Sequence, residues 1–176
     1  VLVAARDLGL QRVVFASSSS IYGEAFAGPK REDLALHPLS PYGVAKLAAE
    51  KYCASFYTVY GLETVSLRYF NVFGPRQDPK SEYAAVIPKF ITAILNGRRP
   101  VIYGDGEQTR DFTYVENVVR GNLLALEARN AAGQALNVAT GSEISLNQLV
   151  RTLAEIGGRE LNPEYAPPRK GDIRHS

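Results

Sequence analysis

Apolar positions along this chain recur at two periods, and where the period changes an element ends. Val1–Leu8 spaces its apolar residues as a helix does, and Gly9 follows as a stop. "RVVFASS", residues 12–18, is a short β-branched run of the kind found in buried parallel strands. A loop punctuated by Gly and Pro fills 23–41. The pattern then predicts a helix over Pro41–Tyr60, with Ser40 as N-cap, Pro41 at the first position and Gly61 as terminator. "TVSLRYFNVFG", residues 64–74, predicts a second buried strand stopped by Gly74-Pro75. Strand, loop, helix, strand is the order of a parallel α/β sheet with right-handed crossovers.

Further along, a helix is expected over Ala84–Asn96, ended by Gly97, and a short strand with a turn in "PVIYGDG". An amphipathic helix follows in "YVENVVRGNLLALEAR", a strand in "QALNVAT" and a helix in "SLNQLVRTLAEIGG" capped by Ser145. "NPEYAPPRKGD" is expected to be an extended tail. No internal repeat, low-complexity tract or long linker interrupts this order.

Composition narrows the function classes. The 176 residues are 45% hydrophobic, enough for one sizeable core. Twenty basic residues against 18 acidic ones give a net charge of +2, and the densest basic cluster is only Arg98-Arg99, so a nucleic-acid surface is not expected. No apolar run has the length of a membrane helix. The one cysteine, Cys53, has no internal disulfide partner, which suits a reducing cytoplasm. The chain has no methionine and opens inside an apparent helix, so a piece of a longer protein, cut at both ends, is expected.

The candidate chemistry begins at "SPYGVAK". Tyr42 and Lys46 are four residues apart, on one face of the expected helix. A free tyrosine titrates near 10. An adjacent ammonium favours the phenolate, so the pair suits removal of a hydroxyl proton while hydride leaves the attached carbon. A Tyr-x-x-x-Lys spacing alone is weak; packing plus solvated charge explains most instances. Ser18 strengthens it, because it stands where the apolar strand runs out, and ligand sites in open α/β sheets gather at strand carboxyl ends. Ser18 and Ser19 are candidates for function, whereas Ser20 suits a polar strand end.

"FASSSSIYGE", "PLSPYGVAKLAAEKY" and "LRYFNVFGPRQDP" together resemble the extended short-chain dehydrogenase/reductase superfamily, and within it the nucleotide-sugar epimerases. "IYGDGEQTRDFTYVENVV", "LNVATGSEISLNQLV" and "PPRKGDIRHS" continue the resemblance to the end. It implies the C-terminal part of a Rossmann-like parallel sheet with helices, over residues 1–82. A small mixed α/β substrate-binding region would occupy 83–176, with 112–140 returning to the sheet. The implied cofactor is NAD and the implied substrate a UDP-sugar. The implied reaction is 4-epimerisation through a 4-keto sugar, on UDP-glucose and UDP-galactose and their N-acetylated forms. No metal, nucleic acid or membrane is implied, and the full-length protein is expected in the cytoplasm as a homodimer, through the Tyr42 helix and the opening helix, with Leu47 and Phe56 as candidate contacts.

The same resemblance assigns roles by position. Ser18, Tyr42 and Lys46 are the catalytic residues. Tyr42, Lys46 and Phe70 contact the cofactor, though Phe70 is equally suited to a core. Ser18, Ser19, Asn71, Ala85, Val86 and Ile87 contact the substrate. Tyr103 packs against the nucleotide base. Arg110 and Arg169 clamp the diphosphate, as guanidinium forks suit phosphate oxygens. Asp172 is a ribose contact, Asp111 structural, and Ser176 a gate beside the sugar 2-substituent. One departure stands out: the Gly-rich βαβ turn that grips a dinucleotide pyrophosphate does not precede the first strand, and Gly104-x-Gly106 opens no matching helix. The chain alone is therefore expected not to hold NAD usefully. A 4,6-dehydratase would need an Asp-Glu pair where Ser19-Ser20 stand before "IYG". A reductase, a decarboxylase or a non-catalytic member remains an alternative.

Overall fold

A computed structural model describes residues 1–24, 28–80, 86–159, 161–169 and 173–176. Backbone contacts divide the chain into two compact units, Val1–Phe70 with Val115–Ala139, and Asn71–Tyr114 with Thr140–Ser176. The α/β class expected from the sequence is the class observed.

In the first unit, α1 (Leu2–Asp7) leads into β1 (Arg12–Ser18), a 3₁₀ turn (Ser19–Ile21), and α2 (Pro41–Tyr60). The ends of α2 are set locally. Ser40 Oγ accepts the Gly43 N–H at 3.1 Å, Pro41 occupies the first turn, where its missing N–H costs nothing, and Gly61 closes the helix at φ 69°. β2 (Glu63–Tyr69) follows. Parallel pairing places Arg12 beside Glu63 and Ser18 beside Tyr69. After the second unit's first segment the chain returns with α4 (Val115–Glu127) and β7 (Ala135–Val138), giving a parallel sheet in the order β1-β2-β7.

Every second residue of β2 faces a different layer. Val65 and Leu67 pack with Ala125 of α4 and with Ala131, and the Tyr69 hydroxyl donates to Asn122 of α4 at 2.9 Å. On the other face, Thr64 Oγ1 donates to the Cys53 carbonyl of α2, and Arg68 reaches Glu50. Burial raises the Cys53 thiol above its usual range. Arg12, at the start of β1, spans to α4: its Nη1 donates to the carbonyls of Ala125, Leu126 and Ala128 at 2.7–2.9 Å, satisfying groups that a helix end leaves unpaired.

The second unit holds β3 (Val72–Phe73), α3 (Val86–Leu95), β4 (Val101–Tyr103), β5 (Thr109–Arg110), β6 (Thr113–Tyr114), β8 (Ile144–Ser145), α5 (Leu146–Ile156) and β9 (Glu164–Ala166). Its core joins Ile87 and Phe90 of α3, Ile102 of β4, and Leu146, Leu149 and Val150. Ser145 caps α5 in a reciprocal box with Gln148.

Two expectations need correction. The run 64–74 is not one strand: β2 stops at Tyr69, and β3 pairs instead with β6. The Pro-rich tail is not merely extended, because β9 pairs in parallel with β4. The first two residues of the helix expected from Ala84 lie outside the described residues.

The Arg68–Glu50 pair is the most buried charge in the first unit, with the two side chains only 4% and 6% exposed. Arg68→Met would strand the carboxylate and is expected to lower stability by about 3–5 kcal/mol. Urea unfolding measures this, and an unchanged midpoint would mean that Glu50 does not depend on Arg68 for its charge.

Candidate functional site

Each unit carries its own set of candidate groups. In the first, Ser18 closes β1 and is half-buried. Its Oγ accepts both the Ser20 backbone N–H at 3.2 Å and the Ser20 hydroxyl at 3.0 Å. Ser20, read as a polar strand end, therefore holds the Ser18 hydroxyl in place. Ser19 lies in the 3₁₀ turn.

Tyr42 and Lys46 share the exposed face at the start of α2. Lys46 Nζ donates to the Ala16 carbonyl at 2.8 Å, and it lies 5.6 Å from the Tyr42 ring centroid and 5.3 Å from that of Phe15. An ammonium has three donors, and the carbonyl takes one. Tyr42 is 48% exposed. The sequence reading missed Gly43. A Cβ there would meet the Ser20 carbonyl oxygen at 2.9 Å and Pro38 Cβ at 3.0 Å, so only glycine lets the first turn of α2 come this close to the 3₁₀ turn after β1. The signal was present in the sequence, as a glycine inside the first turn of a helix.

Phe70 packs with Ile21 and Tyr22 in a buried cluster, its ring 6.4 Å from that of Tyr22. Those are the surroundings of a core residue. Leu47 packs against the same cluster, and Phe56 lies 5.0 Å from Tyr60.

The second unit carries an open cavity of about 880 Å³ lined by Asn71, Val86, Tyr103, Arg110 and Arg169. Lys80, Lys89, Arg98 and Arg99 add to its wall, and no lining residue among those described is acidic. Six cations line this cavity, an arrangement whose charge suits a multiply charged anion. Arg169 lies over the Tyr103 ring, its guanidinium carbon 3.7 Å from the centroid. Ile87 sits in the core beside the cavity. Lys80, Lys89, Arg98 and Arg99 were not assigned to a site from the sequence because they carry no local motif.

Ser176 is tied next to Asn71. Its Oγ accepts from Asn71 Nδ2 at 3.1 Å, its N–H donates to the Thr109 carbonyl, and its carbonyl accepts the Asp111 N–H. Asp111 is buried, and its carboxylate gathers the N–H groups of Thr140 and Gly141 and the Thr140 hydroxyl. Ala85 and Asp172 lie outside the described residues.

A family model described as the NAD dependent epimerase/dehydratase family matches residues 1–139. A UDP-glucose 4-epimerase of Mycolicibacterium smegmatis is 41% identical over 174 residues, covering 98% of this chain and 55% of that protein. Among solved structures, a UDP-N-acetylglucosamine 4-epimerase from Methanobrevibacter ruminantium, in complex with UDP-N-acetylmuramic acid, superposes with a TM-score of 0.94 at 46% identity, over 99% of this chain and 56% of that one. A UDP-glucuronic acid 4-epimerase from Bacillus cereus, in complex with UDP-glucuronic acid and NAD, gives 0.91 at 35% identity, over 99% and 55%. The chain thus spans about half the length of the curated relatives it matches.

The cationic cavity makes a direct prediction with inorganic pyrophosphate as probe. Arg110→Met and Arg169→Met are each expected to weaken its binding tenfold or more, since a hydrogen bond to a charged group contributes about 1.5–3 kcal/mol. Calorimetry at low salt reads the effect; affinity untouched by both changes would remove these arginines from the anion site.

Proposed function

The chain belongs to the NAD dependent epimerase/dehydratase family, and on that premise we propose that the full-length protein is an NAD-dependent 4-epimerase of UDP-sugars. The observation that carries this reading is the anchored pair on α2, with Lys46 fixed on the Ala16 carbonyl beside Tyr42, two residues before the Ser18 hydroxyl. In this reading Tyr42 takes the proton of the sugar 4-hydroxyl as C4 is oxidised, and returns it when C4 is reduced from its other face. Lys46 keeps a fixed positive charge beside the phenol. Ser18, held by Ser20, shares a hydrogen bond with the same sugar oxygen.

The donor set fits one end of NAD. Lys46 has two N–H groups beyond the one given to Ala16, next to a phenol, which suits the nicotinamide ribose. NAD, when bound, would supply a reversible hydride acceptor for C4. The adenosine diphosphate end calls for a Gly-rich turn that these 176 residues do not hold, so the chain by itself is expected not to retain NAD.

The second unit supplies the grip on the UDP part, with Tyr103 for the base and Arg110 and Arg169 for the diphosphate. Ser19-Ser20 before Ile21-Tyr22-Gly23 offers no carboxylic acid to protonate a leaving 6-hydroxyl, which favours epimerisation over dehydration. Serine at position 176 needs less space than a tyrosine would, which favours acceptance of an N-acetyl group, so the substrates proposed are UDP-glucose, UDP-galactose and their N-acetylated forms. We further propose a full-length homodimer through α1 and α2, whose Val3, Val44, Tyr52 and Val59 are exposed.

Tyr42→Phe in the full-length enzyme is expected to lower kcat by about 10²–10⁴-fold while UDP-sugar and NAD still bind; retention of most turnover would remove Tyr42 as the base. Ser176→Tyr is expected to depress turnover of the N-acetylated pair selectively, because overfilling a tight site costs about 1–3 kcal/mol. An equal response of both sugar pairs would end the gate assignment.

A further inference from the structure

Tyr42, Lys46 and Glu50 follow one another at four-residue steps on α2, so they rise along nearly one face of the helix. The first two are exposed or half-buried, but Glu50 is 5% exposed. Its Oε2 accepts the Ser17 hydroxyl at 2.9 Å and Arg68 Nε at 3.1 Å, and its Oε1 accepts Arg68 Nη2 at 2.6 Å. Ser17 and Arg68 are 2% and 4% exposed. Arg68 Nη1 continues to the Tyr22 hydroxyl at 2.7 Å, which donates to Asn137 Oδ1 at 2.8 Å. Burial raises the Tyr22 phenol, against the pull of Arg68 and Asn137.

The helix is therefore bonded to β1 at two consecutive residues: Lys46 at the Ala16 carbonyl and Glu50 at the Ser17 hydroxyl. The next residue of β1 is Ser18. A buried ion pair of this kind is a poor source of stability, because removing two charges from water cancels most of their attraction, and well-packed apolar side chains of similar volume often do as well or better. Apolar contacts, however, have no direction. They tolerate a helix that rotates or slides, whereas three charge-assisted hydrogen bonds to one carboxylate fix both. A slip of α2 by one residue moves Tyr42 about 1.5 Å along the axis and turns it by a quarter turn or more.

We propose that the buried Ser17–Glu50–Arg68 set is a positioning device for the reaction: it locks the rotation and axial register of α2 on β1, and so holds Tyr42 and Lys46 at a fixed reach from Ser18. This rests on the epimerase reading for what Tyr42 and Ser18 do, but not for the lock itself. All three residues are buried, and in this proposal their effect is through the placement of Tyr42 and Lys46.

The test replaces all three polar partners together, Ser17→Ala, Glu50→Leu and Arg68→Met, in the full-length enzyme. The triple variant is expected to fold with a melting temperature near that of the parent, while kcat falls about 10²-fold, the loss that an ångström-scale misplacement produces. KM for the UDP-sugar should stay within about threefold, since the interaction lost acts on the chemical step and not on ground-state binding. A folded triple variant with the parent's kcat would overturn the proposal. Ser17→Ala alone leaves the ion pair intact and serves where the triple variant does not fold; it should lower kcat several-fold in a protein that stays folded at the assay temperature, and full activity would count equally against the lock. A second readout needs no turnover. With 3-fluorotyrosine at position 42, the parent should give one narrow ¹⁹F resonance and the variants a broadened or split one. An identical narrow line in all three proteins would overturn the proposal even if the parent turned over no UDP-sugar, an outcome that by itself would overturn only the epimerase reading.

Discussion

One carboxylate, buried between a strand, a helix and a second strand, organises the first unit. Glu50 could be solvated anywhere on the long surface of α2, yet it is placed where β1 and β2 both reach it. Once it is there, much else follows. Arg68 has to face α2, so Val65 and Leu67 face α4, and the strand alternates between a polar and an apolar layer although both are buried. The Tyr22 hydroxyl then has a donor to accept from, and the loop that begins at Gly23 is drawn against β7 through Asn137, whose side chain donates to the Lys30 carbonyl and whose N–H donates to Glu32. Burying a polar group without partners costs several kcal/mol, and these neighbours supply the partners.

Much of this unit was legible in the sequence because its signals are local. Ser40, Pro41 and Gly61 each have a reason within one turn to begin or end α2, and they do. The break after Tyr69 was not legible. Phe70 turns into the cluster under Ile21, while Val72 and Phe73 pair with a different strand. All of these stay apolar, so burial hides the change of partner. Strands of two residues, such as β5, β6 and β8, are too short to show a period. The pairing of β9 with β4 joins residues more than sixty positions apart, and nothing near Glu164 announces it.

The candidate site divides in the same way. The placement of Ser18 at a strand end and of Tyr42 and Lys46 on one helix face was legible, because strand ends and helix spacing are local signals. Gly43 and Glu50 were not, although they lie in the same stretch of α2, since their importance is the contact they make with Ser20 and Ser17 across the loop. In the second unit the cations of the cavity come from positions between Lys80 and Arg169. In sequence Arg110 and Arg169 stand out only through the family resemblance, and the others look like ordinary surface charge. Only the fold gathers them around one space, where a single arginine would have been unremarkable.

The sheet order has a consequence for how the chain reaches this state. Arg12 pairs with Glu63, and Ser66 with Ala135, so no strand of the sheet has its partner nearby in sequence. The helices and the capped turns can form within their own segments, but each parallel pairing must first close a long loop, and sheets of this kind form late. Until β7 arrives, one side of β2 presents open backbone donors and acceptors to other chains. Arg12 then adds a check on assembly order. Its guanidinium finds the carbonyls at the end of α4 only when that helix, more than a hundred residues later, has docked. Before then Glu63 of β2 can already hold the guanidinium, as it does at 2.6 Å in the folded unit, so the contacts to α4 are the last of its bonds to form.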